Sequence, residues 1–200
     1  MSLREQKKLE TRQTISAVAT RLFIQRGFDQ VTIAEVAEAA RVAKMTVTNH
    51  FNRKEDLVFD IRTDFVDWPA NLVRANPETP ALVAVRDGCF AELDKAGPML
   101  GFADVSFVRM VRQSERLTSA LRDMHADRET QLVAALLDRH PDREMLSRTA
   151  GAHLTSVLRL LLDDVWQLTW QDVKLDDLVE QIRDSAAVAF GQLEPALGDL

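Results

Sequence analysis

A single cysteine, Cys89, excludes an internal disulfide framework and suits a reducing compartment, where a free thiol behaves as a small core residue. Seven glycines and six prolines in 200 residues, with long stretches of 3.6-residue periodicity and few β-branched runs, argue for an all-α chain. No apolar run is long enough for a membrane span: the most apolar stretch, Leu154–Trp170, is interrupted by Arg159, Asp163 and Asp164. The first twelve residues, MSLREQKKLETR, are charged from Arg4 onward and lack an apolar h-region, which predicts no signal peptide and a cytoplasmic protein. Catalytic signatures are missing as well. No Gly-rich phosphate loop, G-x-S-x-G elbow or Cys/His pair occurs, and His50, His125, His140 and His153 are not at metal-ligand spacing. The acids Asp163, Asp164, Asp176 and Asp177 read as solvent-facing or helix-start residues. Neither an enzyme, a metal site nor a bound cofactor is expected.

What is present is uneven. The net charge is −6, yet residues 1–54 carry ten Lys/Arg against five Asp/Glu, while residues 55–200 carry fifteen against twenty-six. A basic N-terminal fifth on an acidic body is the asymmetry of a protein that meets phosphate at one end. Within that fifth, TIAEVAEAARVAKMTVTNHFNRKED (residues 32–56) reads as helix, tight turn, helix and the start of another helix. Thr32 and Glu35 have capping-box spacing, and Val31 and Val36 stand where a hydrophobic staple forms. Val47 and Phe51, four apart, face inward. Lys44, Met45, Thr46, Thr48, Asn49 and His50 are left on the outside. This is the pattern of a helix-turn-helix whose second helix enters a DNA groove.

The rest of the chain reads as a series of helices. The first spans about 4–26, with Gly27 placed to stop it. Two short helices follow at about 33–40 and 44–51. A fourth is expected from about Arg53, capped by Asn52 with Glu55, carrying Leu57, Ile61, Phe65 and Trp68 on one face and ended or kinked by Pro69. A fifth follows Thr79 as cap and Pro80 as first residue, to about Lys95. The sixth covers about 102–112, a seventh is capped by Ser114, and the last two span about 143–170 and 175–193. The expected domains are 1–52, which reads DNA, and 53–200. The last two helices are apolar enough either to complete the core or to pair with their copies in a homodimer, through Leu158, Leu162, Leu178, Ile182 and Ala189.

Residues from about Arg12 to Leu57 resemble the DNA-binding domain of the tetracycline-repressor (TetR/AcrR) family. The resemblance rests on Leu22-Phe23 before Gly27-Phe28, Val31-Thr32-Ile33-Ala34-Glu35-Val36-Ala37, Val42 in the turn, Thr46-Val47, His50-Phe51 and Lys54-Glu55-Asp56-Leu57. Arg41, Ala43, Met45 and Thr48 depart from the family's usual glycine, serine, small residue and tyrosine. The resemblance implies a ligand-responsive regulator, most simply a repressor, that binds a near-palindromic double-stranded DNA operator as a homodimer. By reach and chemistry, Lys44, Thr46 and Asn49, flanked by Met45, are candidates for base edges. Thr32, Thr48, His50 and Lys54 are candidates for phosphate, and Arg4, Lys7, Lys8 and Arg12 form a basic arm.

The resemblance also implies a cavity for a small-molecule effector in the second domain. Phe65, Trp68, Phe90, Met99, Phe102, Phe107, Met110, Met124, Trp166 and Trp170 are candidates to line it. Read without the resemblance, these are core positions. Arg109, Arg112, His125 and His153 are the polar candidates nearby, each read more simply as a surface or internally satisfied residue. The alternatives are a constitutive DNA binder with a solid helical core and an all-α enzyme whose N-terminal motif is incidental, the latter disfavoured by the missing catalytic constellation.

Overall fold

The computed structural model describes residues 2–197. Among the described residues there are nine α-helices and no strand: α1 (Leu3–Arg26), α2 (Ile33–Ala39), α3 (Lys44–His50), α4 (Arg62–Ala75), α5 (Ala81–Leu93), α6 (Val105–Gln113), α7 (Glu115–Arg139), α8 (Glu144–Trp170) and α9 (Leu175–Leu197). Short 3-10 turns occupy Glu55–Leu57 and Pro98–Leu100. No helix among these residues is long and apolar enough to cross a membrane.

The chain divides into two compact units. The first holds Met1–Arg62 with Arg109–Ala120; the second holds Thr63–Val108 with Leu121–Leu200. The division therefore does not fall at residue 52. Leu57 is fully buried and its carbonyl accepts the Ser16 hydroxyl at 3.1 Å, which ties the segment after α3 back to α1. Ser114, at the start of α7, donates to the Asp29 carboxylate at 3.2 Å while its oxygen accepts the Leu117 amide. That pair, 85 residues apart in sequence, places the start of α7 in the first unit.

Local chemistry sets the helix ends of the first unit. Ser2 and Glu5 form a capping box at α1, and Thr32 and Glu35 form another at α2. Two Thr32 hydrogen bonds and the Arg26 guanidinium favour the Glu35 carboxylate, which is held down at about 2. Gly27 closes α1 with φ +87°, a conformation that a side chain rarely allows. The end of α2 is less comfortable. Val42 N–H bonds the Ala37 carbonyl and Arg41 N–H the Glu38 carbonyl, both at 3.0 Å, a Schellman closure whose left-handed residue is Arg41 at φ +56°. The same motif ends α5 on Ala96 and α8 on Asp172.

The expected fourth helix from Arg53 does not form. Leu57, Val58 and Phe59 are all buried, and three consecutive buried side chains cannot lie on one face of a helix. The chain instead makes a 3-10 turn, with the Asp56 carboxylate, not Glu55, accepting the Arg53 amide at 3.0 Å. Pro80 stands at the N-cap of α5 without a Thr79 side-chain cap. The Thr79 carbonyl, with those of Val73 and Asn76, is gathered by the Arg139 guanidinium at 2.6–2.9 Å.

Nor does Pro69 end α4, which runs through it to Ala75. Proline has no amide for the carbonyl four residues back, so the Phe65 carbonyl loses its helical partner. Arg128 Nε supplies the missing donor at 2.9 Å. Pro195 in α9 poses the same problem at Gly191, but Gly191 is exposed and water can reach it. In the second unit α5, α8 and α9 pack on one another, burying Val85, Leu93, Leu154, Leu161, Val165, Ala186 and Phe190. Beside Phe65, the His125 ring packs edge-on at 5.5 Å, and neither of its nitrogens has a hydrogen-bond partner.

Two outcomes follow from these observations. Arg41→Gly relieves the left-handed strain at the α2 end and, net of glycine's chain entropy, should stabilise the protein by about 0.5–1 kcal/mol, seen as a higher urea midpoint with unchanged slope. Burial, then the nearby Arg128 and Arg159 charges, lowers the His125 pKa from 6.5 to about 4. The unfolded chain then takes up the proton first. Stability is intact above pH 6.5 and falls as the pH drops toward 4, by about 2 kcal/mol at pH 5. Urea titrations at pH 7 and pH 5 should show this loss in the parent and not in His125→Leu.

Candidate nucleic-acid interface

Arg12 fixes the end of α3, and Lys54 fixes the turn that follows it. Arg12 on α1 donates to the carbonyl of His50, at the end of α3, and to that of Asp60 at 3.3 Å, with its guanidinium 4.3 Å from the Phe51 ring centroid. Arg12 is therefore not part of a free basic arm, whereas Arg4, Lys7 and Lys8 remain exposed. Lys54 is also turned inward. Its ammonium donates to the Phe28 carbonyl and sits 4.3 Å from the Phe28 ring and 5.4 Å from that of Phe23. Burial lowers its pKa. As placed, Lys54 is half-buried and holds the turn after α3 against α1 through the Phe28 carbonyl.

Beneath α3, Val47 and Phe51 are buried, as expected, with Val31 and Val36. The outer surface carries Lys44, Met45, Thr48 and Asn49, all exposed, Met45 at 72%, while Thr46 and His50 are half-buried. Lys44 and Asn49 are the two side chains of this row with hydrogen-bonding ends and the length to reach base edges. Thr48 spends its hydroxyl proton on the Met45 carbonyl at 3.1 Å, with the Lys44 carbonyl at 3.4 Å, leaving its oxygen lone pairs outward. Burial, then the Lys8 and Arg12 charges, lowers the His50 pKa, so it offers a neutral ring at physiological pH. Thr32 is exposed but engaged with Glu35 through both its amide and its hydroxyl. Arg41 adds an exposed cation at the turn before α3.

Depressions of about 420 and 400 Å³, both widely open to solvent, lie on the second unit. Phe102 lines the first, with Val105, Val173, Leu175 and Leu178; Trp68 and Met99 line the second, with Asp64, Asn71, Glu92 and Lys95. The expected pocket residues are therefore split. Phe65, Met124 and Trp166 are buried core, Trp166 donating its indole N–H to the Gly101 carbonyl at 2.8 Å. Met110 is buried in the first unit and belongs to neither depression. Phe90 and Phe107 are half-buried outside both linings. The proposed pairing residues are corrected in the same way. Leu158, Leu162, Leu178 and Ile182 are buried within the chain, since the wide stripe of α8 is used up against α5 and α9. The large apolar side chains left outside on α8 and α9 are Met145 (69% exposed), Leu146 (36%), Leu160 (51%), Trp170 (45%), Leu175 (56%) and Val188 (63%), with Ala189 half-buried.

Residues 15–61, which span this helix-turn-helix, match the family described as bacterial regulatory proteins, tetR family. The transcriptional regulator AcrR of Shigella flexneri is 42% identical over 57 residues, 28% of this chain and 26% of that protein. The transcriptional repressor KstR2 of Mycolicibacterium smegmatis is 30% identical over 57 residues, 28% of each chain. Both matches thus span only about a quarter of the relatives' length. Over the whole chain the likeness is one of fold. NalD, the secondary repressor of the MexAB-OprM multidrug efflux pump in Pseudomonas aeruginosa, superposes with a TM-score of 0.57 at 18% identity, covering 92% of this chain and 97% of that one. A putative tetR-family regulator from Mesorhizobium loti gives 0.55 at 16% identity, again covering 92% and 97%. The match to the tetR family of bacterial regulatory proteins is thus confined to residues 15–61, and the rest of the chain shares the all-helical fold of these solved regulators.

Proposed function

We propose that the chain is a DNA-binding transcriptional regulator, acting in the cytoplasm as a homodimeric repressor that a small-molecule effector releases from its operator. The observation that carries this reading is α3: a short helix fixed from below by Arg12 and two buried side chains, with Lys44, Thr48 and Asn49 turned out. Positions held by packing and hydrogen bonds are what base recognition needs. Lys44 and Asn49 address base edges in the major groove; Arg41, Thr48 and the exposed lysines of α1 address phosphates. A single α3 reads one half-site, so a two-fold pair is required for a near-palindrome. Leu160, Trp170 and Val188, exposed on α8 and α9, support pairing of these helices with their copies.

Two open depressions on the second unit, each above the roughly 300 Å³ that a small ligand fills, are where an effector would bind on this reading. α4 starts at Arg62, the last residue before the chain passes into the second unit, and with α6 and α7, which also cross the division, it is one of three covalent routes by which a ligand can act on the first unit. A coupling of about 1–3 kcal/mol would weaken operator binding roughly 5–150-fold.

Selection of bound duplexes from a random pool should enrich a two-fold-symmetric sequence. On that sequence Asn49→Ala should lose about tenfold in affinity and relax the preference at one base pair per half-site. Leu160→Glu with Val188→Glu should give monomers in sedimentation and abolish tight binding to the full site. A pool that enriches no sequence, or an enriched duplex indifferent to Asn49→Ala, would rule the reading out.

A further inference from the structure

Arg128 is the largest fully buried side chain of the second unit, and among the described residues no carboxylate pairs with it. Its Nε donates to the Phe65 carbonyl and its Nη2 to the Met99 carbonyl at 3.1 Å. Its guanidinium lies 3.4 Å from the Phe65 ring centroid and 5.7 Å from that of Trp68. Two backbone dipoles and two rings offset part of the charge, but Nη1 is buried with no acceptor. His125, one turn earlier on α7 and against the same Phe65 ring, has two unpartnered nitrogens. A buried guanidinium N–H with no acceptor costs free energy in an apolar interior. Two such groups three residues apart on one helix face therefore mark a place for a ligand with acceptor oxygens. Trp68 and Met99, which touch Arg128, also line the depression of about 400 Å³. Its charged lining is Asp64 with the Glu92–Lys95 ion pair, closed on itself at 2.9 Å, while Arg128 is fully buried beside Trp68 and Met99.

We propose that Arg128 is an anion anchor: its Nη1, flanked by His125, receives the carboxylate of an amphipathic effector whose apolar body lies against Trp68 and Met99. This rests on the reading of the second unit as effector-binding and names the chemical class of the effector. A single carboxylate matches the one unmatched positive charge, whereas a phosphate dianion would bring a second negative charge into an apolar interior. Charge-assisted pairing with a guanidinium is directional and strong where water is excluded. The anchor also carries a regulatory consequence. The guanidinium that binds the anion is the one that replaces the missing Pro69 amide, so an anion that pulls on Arg128 competes with the Phe65 carbonyl and loosens α4 at its proline.

The test uses the full chain and three carboxylates, 2-naphthoate, cinnamate and decanoate, each beside its neutral primary amide, followed by calorimetry. In the parent protein at least one carboxylate should bind ten or more times tighter than its amide. Arg128→Met on its own would orphan the Phe65 carbonyl, so it is made together with Pro69→Ala, which returns an amide to that carbonyl and leaves only the Met99 carbonyl without its Arg128 donor. Pro69→Ala alone should keep the preference; Pro69→Ala with Arg128→Met should bind acid and amide alike. No carboxylate preference in the parent, no binding by any of the three, or a preference that survives in the double variant overturns the proposal. Duplex binding is followed separately: a carboxylate that binds through Arg128 but leaves the selected duplex bound would sink the effector-release reading and leave the anion site standing.

Discussion

The carbonyl of Phe65 has no helical donor because residue 69 is proline, and the donor it takes comes from α7, 63 residues away. An unsatisfied buried carbonyl costs about 1–3 kcal/mol, enough to bend or end a helix there. Arg128 removes that cost, so α4 continues for a further turn and a half and carries Ala70 and Val73 into the core. The price is a permanent cation in an apolar interior, its pKa drawn down by burial to about 9 yet still charged at neutral pH. Around that cation the unit arranges aromatic faces and backbone oxygens instead of a carboxylate. Helix continuity in α4 and the polarity of the interior are thus one arrangement seen from two sides.

The DNA-binding unit is built on a related economy. α3 has only seven residues, too few to be stable by its own hydrogen bonds, and its N-cap is an alanine with no side-chain oxygen. Its order comes from outside: Val47 and Phe51 below, and the Arg12 guanidinium on the carbonyl that ends it. The departures from the family pattern at Ala43 and Arg41 both withdraw local stabilisation from the same turn. The long-range clamp from α1 accounts for how the helix keeps its place without them.

Features carried by short sequence spacings were legible. The Thr32–Glu35 box, the Gly27 stop, the inward Val47 and Phe51 and the Ser114 cap each depend on residues within four positions. What escaped depends on partners far apart. Nothing near Arg12 or Lys54 signals that their charges turn to His50 and Phe28, and nothing near Asp29 points to Ser114. Pro69 was read by its usual local effect, which Arg128 cancels from another helix. Arg128 itself stood among charged residues of an amphipathic stretch and gave no sign of burial. For α8 the breadth of the apolar stripe was clear, but not which part faces inward, because that is fixed by α5 and α9. Leu158 and Leu162 accordingly went inside while Leu160 stayed out.

The inward turn of Arg12 and Lys54 has a consequence for how tightly the protein's hold on DNA would follow ionic strength. Each phosphate neutralised by a protein cation releases condensed counterions and steepens the fall of affinity with salt by about 0.9 in logarithmic slope. Cations hydrogen-bonded to backbone carbonyls still contribute to the long-range field but displace no counterion. Across the proposed two-fold pair, four of the basic residues that the composition would credit to the phosphate backbone would be withheld, making the slope shallower by about 3–4. On the proposed reading, such a protein would rely less on charge and more on the fit of Lys44 and Asn49 to the bases, and would keep its grip when the ionic composition of its surroundings changes.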